Sequence, residues 1–422
     1  MDMLKIQQEQ MRPITSWKYR LVNFIGDGFA EKISLSEDEL LEKASRIVGL
    51  SDWGDESFRV PLKILLDSYE KDAHLNLYGR MRAQRDVIRA LVNRLKIHAD
   101  IKRHPEILDT PIPRMLVITG LPRTGTTFLH SLLAQDPSNR TLQLWELLSP
   151  SPPPSRDTYE SDQRRLSLKK WMSFWGWFLL SKRGKGIMKA IHDDRHDTPG
   201  ECFHLLKNTF LSYLLTDLNI LSGYIKWLKT QDMSFAYRYY RIQIQLLLWR
   251  CTGDRLVLKS PDHLGNLYAF KGVFPEAHII WTHRDPLKVL PSMCSLANRI
   301  HQLNSDAVIE LEEFGKMVLD FAAAQVEQGM KARDSIVDGK FHDVDYYALI
   351  KSPITAVKRI YEDTGDVLSD EAESRMKNWL LLNTKDRHGI HHYHHREAFG
   401  LNADKVNDRF HVYRERFSIP FE

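Results

Sequence analysis

Cysteine is scarce in this chain, with three residues, Cys202, Cys251 and Cys294, odd in number and far apart. None has CxxC spacing, so neither a disulfide framework nor a cysteine-based zinc site is expected. They read as reduced, mostly buried residues of a cytosolic protein. Charge of one sign is also lacking: 59 Lys and Arg against 55 Asp and Glu leave +4, too weak a bias to suggest a nucleic-acid partner. Any anion site must then arise from local clustering of cations. No stretch reaches the roughly 20 apolar residues of a membrane-spanning helix; the longest apolar cluster, WMSFWGWFLL at Trp171 to Leu180, is about half that length. The opening residues, MDMLKIQQEQMRPITSWKYR, lack the apolar segment of a signal peptide. A cytoplasmic location is expected. Within those limits, 422 residues with 43% hydrophobic content can bury a large core, and no internal repeat divides it.

A further absence is a single lysine. VITGLPRTGTTFLHSLL, Val117 to Leu133, has Gly120 and Gly125 at the separation of a P-loop, and Thr127 at its hydroxyl position. The lysine position holds Thr126, and the nearest cation is Arg123, inside the loop. A Walker lysine serves β- and γ-phosphates together with magnesium, so its loss argues against triphosphate hydrolysis. The backbone N–H groups of Thr124 to Thr127, the helix dipole and a planar guanidinium suit a terminal tetrahedral anion instead. A strand–helix turn that holds no ligand is the alternative.

Around this loop the chain reads as α/β. MLVITG (Met115 to Gly120), RLVLKSP (Arg255 to Pro261) and HIIWTHRDP (His278 to Pro286) are short apolar runs that each end at a polar loop, the pattern of buried parallel strands. KFHDVDY (Lys340 to Tyr346) is a weaker candidate. Residues 1–110 read as a helical extension, with Ser36 and Glu39 placed for a capping box, and YGRMRAQRDVIRALVNRLKIHADI at helical spacing. Residues 111–422 form the α/β part: a P-loop-NTPase-like parallel sheet flanked by helices, with a helical insertion over about 149–250. The insertion opens at SPSPPPS and continues with helices expected from Glu201 to Leu221 and from Tyr237 to Trp249. Ligands of such sheets bind at the carboxyl ends of the strands. The tails of the strong strands are therefore expected to converge.

Two of those tails carry cations. Arg284 follows one strand, and Ser292 lies eight residues on, about two turns into a helix that starts at Pro286; the pair can clamp a second phosphate. A salt bridge between Arg284 and a neighbour such as Asp285 is the alternative. Lys259 ends another strand, where packing gives a cation no reason to be, unless it snorkels to solvent.

Taken together, GLPRTGTTFLHSLLAQDP, WELLSPSPPP, RLVLKSPDHL and FPEAHIIWTHRDPLKVLPSMCSL resemble the sulfotransferase family, in particular its broad bacterial-type branch and, more distantly, the tyrosylprotein sulfotransferases. The motifs cover about Met115 to Leu296 in the family's order, and the late KDRHGIHHY and YRERF stretches are similar too. The resemblance implies transfer of a sulfuryl group from 3'-phosphoadenosine 5'-phosphosulfate (PAPS) to a hydroxyl, less often an amine, without a metal. It implies that Arg123, Thr124, Gly125, Thr126 and Thr127 hold the 5'-phosphosulfate and that Arg284 and Ser292 hold the 3'-phosphate. A late basic loop, Arg387 and Gly389, is implied to close over the same phosphate. Arg123 and Lys259 are expected to stabilise charge in the transition state, and Glu146 in LWELL is implied as general base, two residues further from the loop than in the tyrosylprotein branch. Glu201 in DTPGECFHLL is the competitor, with His192, His196 or His204 third. A P-loop kinase, or a nucleotide-binding protein without catalysis, is the alternative function.

Other features stay outside this scheme. The histidines from His388 to His395 lack the partner spacing of a metal site. Trp171, Trp175 and Trp177, flanked by lysines, fit a substrate lid, peripheral membrane contact or a helix buried against the sheet. The aromatic insertion suits a small-molecule or lipid-like hydroxyl acceptor. Oligomeric state leaves no mark on the sequence.

Overall fold

The apolar runs become the strands of one sheet. A computed structural model describes residues 14–182, 184–185, 198–218, 222–337, 339–383 and 396–421. Strands β1 (Arg114–Thr119), β2 (Asn139–Thr141), β3 (Arg255–Lys259), β4 (His278–His283) and β5 (Phe341–Asp345) are all parallel, in the order β2-β3-β1-β4-β5. Val117 at the centre of β1 is paired with Leu258 of β3 and Ile279 of β4. β2 had no signal in the sequence, because three residues are too few to show a period.

Helices cover both faces, which is why the central strands are apolar without alternation. In chain order they are α1 (Trp17–Gly26), α2 (Glu37–Val48), α3 (Arg59–Lys71), α4 (Leu77–Arg103), α5 (Thr126–Leu133), α6 (Leu144–Leu148), α7 (Gln163–Leu179), α8 (Phe203–Lys207) and α9 (Ser222–Leu228). They continue with α10 (Ser234–Leu248), α11 (Leu267–Val273), α12 (Pro286–Asn304), α13 (Leu311–Ser335), α14 (Tyr346–Lys351), α15 (Pro353–Thr364), α16 (Asp370–Leu382) and α17 (Ala403–Phe417). Leu116 and Ile118 point to one face and pack with Leu129 and Leu132 of α5, Ile360 of α15 and Met376 of α16. Met115 and Val117 point to the other. There they join a larger core that includes Leu91 of α4, Leu247 of α10 and Val326 of α13.

The amino-terminal helices share that larger core and are tied to the sheet's own helices. α2 begins at Ser36 with Glu37, Asp38 and Glu39 in its first turn, but the Ser36 side chain makes no capping hydrogen bond, so the expected capping box does not form. The acidic turn and the helix dipole suffice to start it. α4 is capped by Asn76, whose side chain accepts from Gly79 N at 2.9 Å. A Cβ on Gly79 would lie 1.9 Å from the Asn304 carbonyl oxygen, so only glycine lets α4 press onto the end of α12. The helix expected from Glu201 to Leu221 is broken in the structure: α8 ends at Lys207, and Phe210 takes a left-handed φ of 58°. The Thr209 hydroxyl donates to Leu206 O at 2.7 Å and accepts from Leu211 N at 3.2 Å, closing a local turn in place of a helical one.

Candidate active site

The Gly120-to-Gly125 loop turns across the carboxyl end of β4. Gly120 has φ +145°, and a Cβ there would lie 2.6 Å from both the carbonyl oxygen and the hydroxyl of Thr282. Thr124 fills the inside of the turn. It is fully buried, and its hydroxyl donates to Leu121 O at 2.7 Å and lies 2.6 Å from the Thr282 hydroxyl. The Thr124 side chain therefore shapes the loop. Gly125, at φ +90°, leads into α5.

Arg123 stands on the outside of the turn in the left-handed region, φ +75°, a conformation that costs a residue with a Cβ about 1–2 kcal/mol. So placed, its Nε donates to the Ser292 hydroxyl of α12 at 3.1 Å. Arg284, the first residue past β4, donates Nη1 to the Arg123 carbonyl oxygen at 3.1 Å, and its guanidinium lies 4.0 Å from the centroid of the Tyr346 ring. Asp285 next to it caps α12 by accepting from Leu287 N at 2.8 Å and forms a buried ion pair with Arg414 of α17. Arg123, Arg284 and Ser292 thus border one turn, although Ser292 lies 169 residues from Arg123 in the chain.

Lys259 reaches the same loop from the other side. Its side chain is 2% exposed, which excludes the snorkelling alternative. Its ammonium donates to the Thr127 hydroxyl in the first turn of α5 at 3.1 Å and forms an ion pair with Glu201. Glu201 is held there by backbone bonds on either side, Gly200 N to Leu142 O at 2.9 Å and Cys202 N to Lys259 O at 3.0 Å. Behind Lys259 the floor is neutral. Burial, with Lys259's charge adding to it, pushes the His130 imidazole down to about 3; burial alone does the same to His263. The Cys202 thiol, which lies 3.3 Å from His263 Nε2, is pushed up to about 12 by the same loss of solvent.

The surroundings of Glu146 speak against the role expected of it. It is fully buried, ion-paired with Arg140 of β2, and accepts from the Tyr159 hydroxyl at 2.6 Å. It also accepts from Gln143 N at 2.7 Å, completing a capping box that starts α6. Burial disfavours the Arg140 charge, yet the Glu146 carboxylate outweighs that and raises the guanidinium's affinity for its proton. A carboxylate has about four acceptor positions, and those of Glu146 serve structural donors. His204 is half-buried on α8, with its ring 4.2 Å from that of Phe203. Arg387, Gly389, His192, His196 and the histidines from 388 to 395 lie outside the described residues.

Three side chains that the sequence reading passed over complete the site: Tyr346 beneath Arg284, Thr282 against the loop, and Arg414 holding Asp285. Tyr346 had a signal, since it directly follows β5 and so stands at a strand end like Arg284 and Lys259. Arg414 lies in the YRERF stretch, but its pairing with Asp285, 129 residues away, had no signal. Farther along α12, helices α9 and α13 border an open pocket of about 650 Å³, lined by apolar residues such as Met293, Phe314 and Phe321 and by charged ones such as Lys226, Glu313 and Asp320. Among the described residues, no group of three His, Cys, Asp or Glu side chains is placed to hold a metal ion. No described helix is long and apolar enough to cross a membrane.

Known proteins resemble this chain in sequence and in fold. The curated omega-hydroxy-beta-dihydromenaquinone-9 sulfotransferase Stf3 of Mycobacterium tuberculosis and of Mycobacterium bovis is 26% identical over 272 residues, 61% of this chain. The match spans 63% of that relative's length. The crystal structure of sulfotransferase STF9 from Mycobacterium avium is similar with a TM-score of 0.84 and 31% identity, covering 92% of this chain and 98% of that one. STF1 from Mycobacterium tuberculosis H37Rv gives a TM-score of 0.76, also at 31% identity, over 89% of this chain and 98% of that one. The sulfotransferase family model matches residues 113–370, more than half of the sequence. With its P-loop-like turn that lacks the lysine and its cation-bearing strand ends, the chain belongs to the sulfotransferase family.

Proposed function

We propose that this protein transfers a sulfuryl group from PAPS to the hydroxyl of an apolar small molecule. The observation that carries the reading is the gathering of Arg123, Arg284, Ser292 and the Lys259–Thr127 pair around one turn that has no Walker lysine. In the reaction a bond forms between the acceptor oxygen and sulfur while the bond from sulfur to the 5'-phosphate oxygen breaks. The acceptor's proton is taken up by a protein carboxylate, and adenosine 3',5'-bisphosphate leaves.

Each residue then has a task. The loop N–H groups from Thr124 to Thr127, with the Thr126 and Thr127 hydroxyls, bind the 5' end of the donor. Arg284 and Ser292 bind the 3'-phosphate, and Tyr346 fixes the plane of the Arg284 guanidinium. Arg123 and Lys259 act where negative charge grows on the leaving oxygen and the sulfuryl group, a preorganised arrangement that needs no divalent ion. We assign the general base to Glu201 rather than Glu146, because Glu201 reaches the Lys259–Thr127 corner and is not fully enclosed. The name of the relative Stf3, a sulfotransferase of a menaquinone derivative, supports an acceptor with a hydrocarbon portion.

Thermal-shift measurements test the donor assignment directly. Adenosine 3',5'-bisphosphate should raise the melting temperature more than ATP with magnesium at equal concentration; the reverse order would favour a kinase. Arg123→Ala should lower turnover at saturating PAPS by roughly a hundredfold or more, about 3 kcal/mol of transition-state stabilisation. Near wild-type turnover in that variant overturns the mechanism.

A further inference from the structure

Helix α1 is amphipathic in the wrong sense for a soluble protein. Trp17, Leu21, Phe24 and Ile25 recur at i, i+4, i+7 and i+8, one face of a helix, yet all four are exposed, Phe24 by 84%. The face cannot roll inward. Tyr19 on the opposite side is buried and donates its hydroxyl to Leu303 O at 2.7 Å, and a Cβ on Gly26 would meet Leu77 Cδ2 at 2.1 Å. Helix α7 lies alongside. It has no buried residue, and Trp171, Phe174 and Trp177 are each at least 40% exposed. The two helices are fastened together: Ser16 N donates to Leu179 O at 2.8 Å, Thr15 and Leu180 form an antiparallel bridge, and the Lys18 ammonium sits 3.0 Å from the centroid of a Trp177 ring. Their outward aromatic and aliphatic side chains therefore make one continuous surface.

The charges on this surface point to a single occupant. Neither Trp17–Gly26 nor Gln163–Leu179 contains an Asp or Glu, in a chain that has 55 of them. Lys18 and Arg20 flank the apolar face of α1, and Lys169 and Lys170 precede the aromatic run of α7; Arg20, Lys169 and Lys170 are exposed and Lys18 is half-buried. Tryptophan and phenylalanine rimmed by cations, without acidic groups to repel phosphate, is the composition of an interfacial membrane helix. A protein partner would need no such bias against acidic residues, and a second copy of this chain would bring cations against cations.

We propose that the joint face of α1 and α7 docks this protein on an anionic phospholipid surface, with the aromatic side chains in the headgroup–acyl boundary and the lysines on lipid phosphates. This goes beyond the reaction assigned above and stands or falls without it, because the readout is binding. The full chain is floated with vesicles of phosphatidylcholine alone and of phosphatidylcholine with phosphatidylglycerol, at low and high salt. Binding is expected to the anionic vesicles and to weaken with salt. A Phe24→Ser/Trp177→Ser double variant should lose vesicle affinity by about tenfold or more, and Lys169→Glu/Lys170→Glu should abolish the preference for phosphatidylglycerol. All four residues are exposed, so the thermal unfolding temperature of both variants should stay near wild type, which excludes misfolding as the cause. Absence of binding to anionic vesicles overturns the proposal. So does binding that both variants retain, or a wild-type dimer in solution that Phe24→Ser/Trp177→Ser converts to a monomer without any vesicle binding.

Discussion

Glu146, on α6 behind the edge strand β2, and Glu201, on the segment laid along β3, each pair with a buried cation, Arg140 and Lys259. Around Glu146 the ring of partners is closed. Arg140, Tyr159 and Gln143 N supply its donors and no part of the carboxylate meets solvent. Around Glu201 the ring is open. Its side chain is 15% exposed, its cation also touches Thr127, and Thr127 lies in the first turn of α5, directly after the Gly120-to-Gly125 loop. A closed set of hydrogen bonds holds an edge of the sheet in place, whereas an open one can exchange a partner when a substrate arrives. The comparison teaches that proximity of a carboxylate to the loop motif says less about chemistry than whether its acceptor positions are already taken.

Exchanging each carboxylate for its amide breaks this comparison or sharpens it. Glu201→Gln should lower turnover by about a thousandfold, within the range for removal of a general base, while adenosine 3',5'-bisphosphate affinity changes by only a few-fold. Turnover near wild type in a steady-state assay would move the base elsewhere. Glu146→Gln should act on stability instead. It leaves the Arg140 guanidinium buried without its counter-charge, a loss of about 3 kcal/mol readable in denaturant unfolding, with the folded fraction still active. If that variant is stable and inactive, the two roles are reversed.

The neutral floor behind Lys259 gives a smaller, pH-dependent effect. His130 and His263 have folded-state affinities for protons lowered from 6.5 to about 3 by burial. The unfolded chain therefore binds protons that the folded chain refuses, and stability falls as pH drops from about 6.5 toward 3, being complete only above 6.5. At pH 5 the loss is on the order of 2 kcal/mol per histidine. Unfolding midpoints measured at pH 7, 6 and 5 should decline in step; a flat profile would show that these imidazoles accept protons in the folded state.

Much of the architecture could be read from residue order. β1, β3 and β4 were legible because strands covered on both faces are apolar throughout, and the loop was legible because Gly120 and Gly125 stand where a Cβ would clash or the backbone turns left-handed. β2 and the break after α8 were not, the first for its length and the second because the Thr209 hydroxyl, rather than a glycine or proline, closes the turn. At the site, Arg123, Lys259 and Arg284 could be nominated from their positions at strand ends. The pairing of Lys259 with Glu201, 58 residues apart, could not, and neither could the enclosure of Glu146 by an arginine and a tyrosine on separate segments.

The order of apolar runs, glycines and strand-end cations was enough to settle an α/β sheet with a P-loop-like turn that lacks the Walker lysine, since those depend on local sterics and on the burial of each strand. Which carboxylate keeps an open flank, and which helix face is left toward solvent, was decided in the tertiary structure. Both depend on donors and packing partners brought together from distant parts of the chain, and spacing along the sequence carries no record of them.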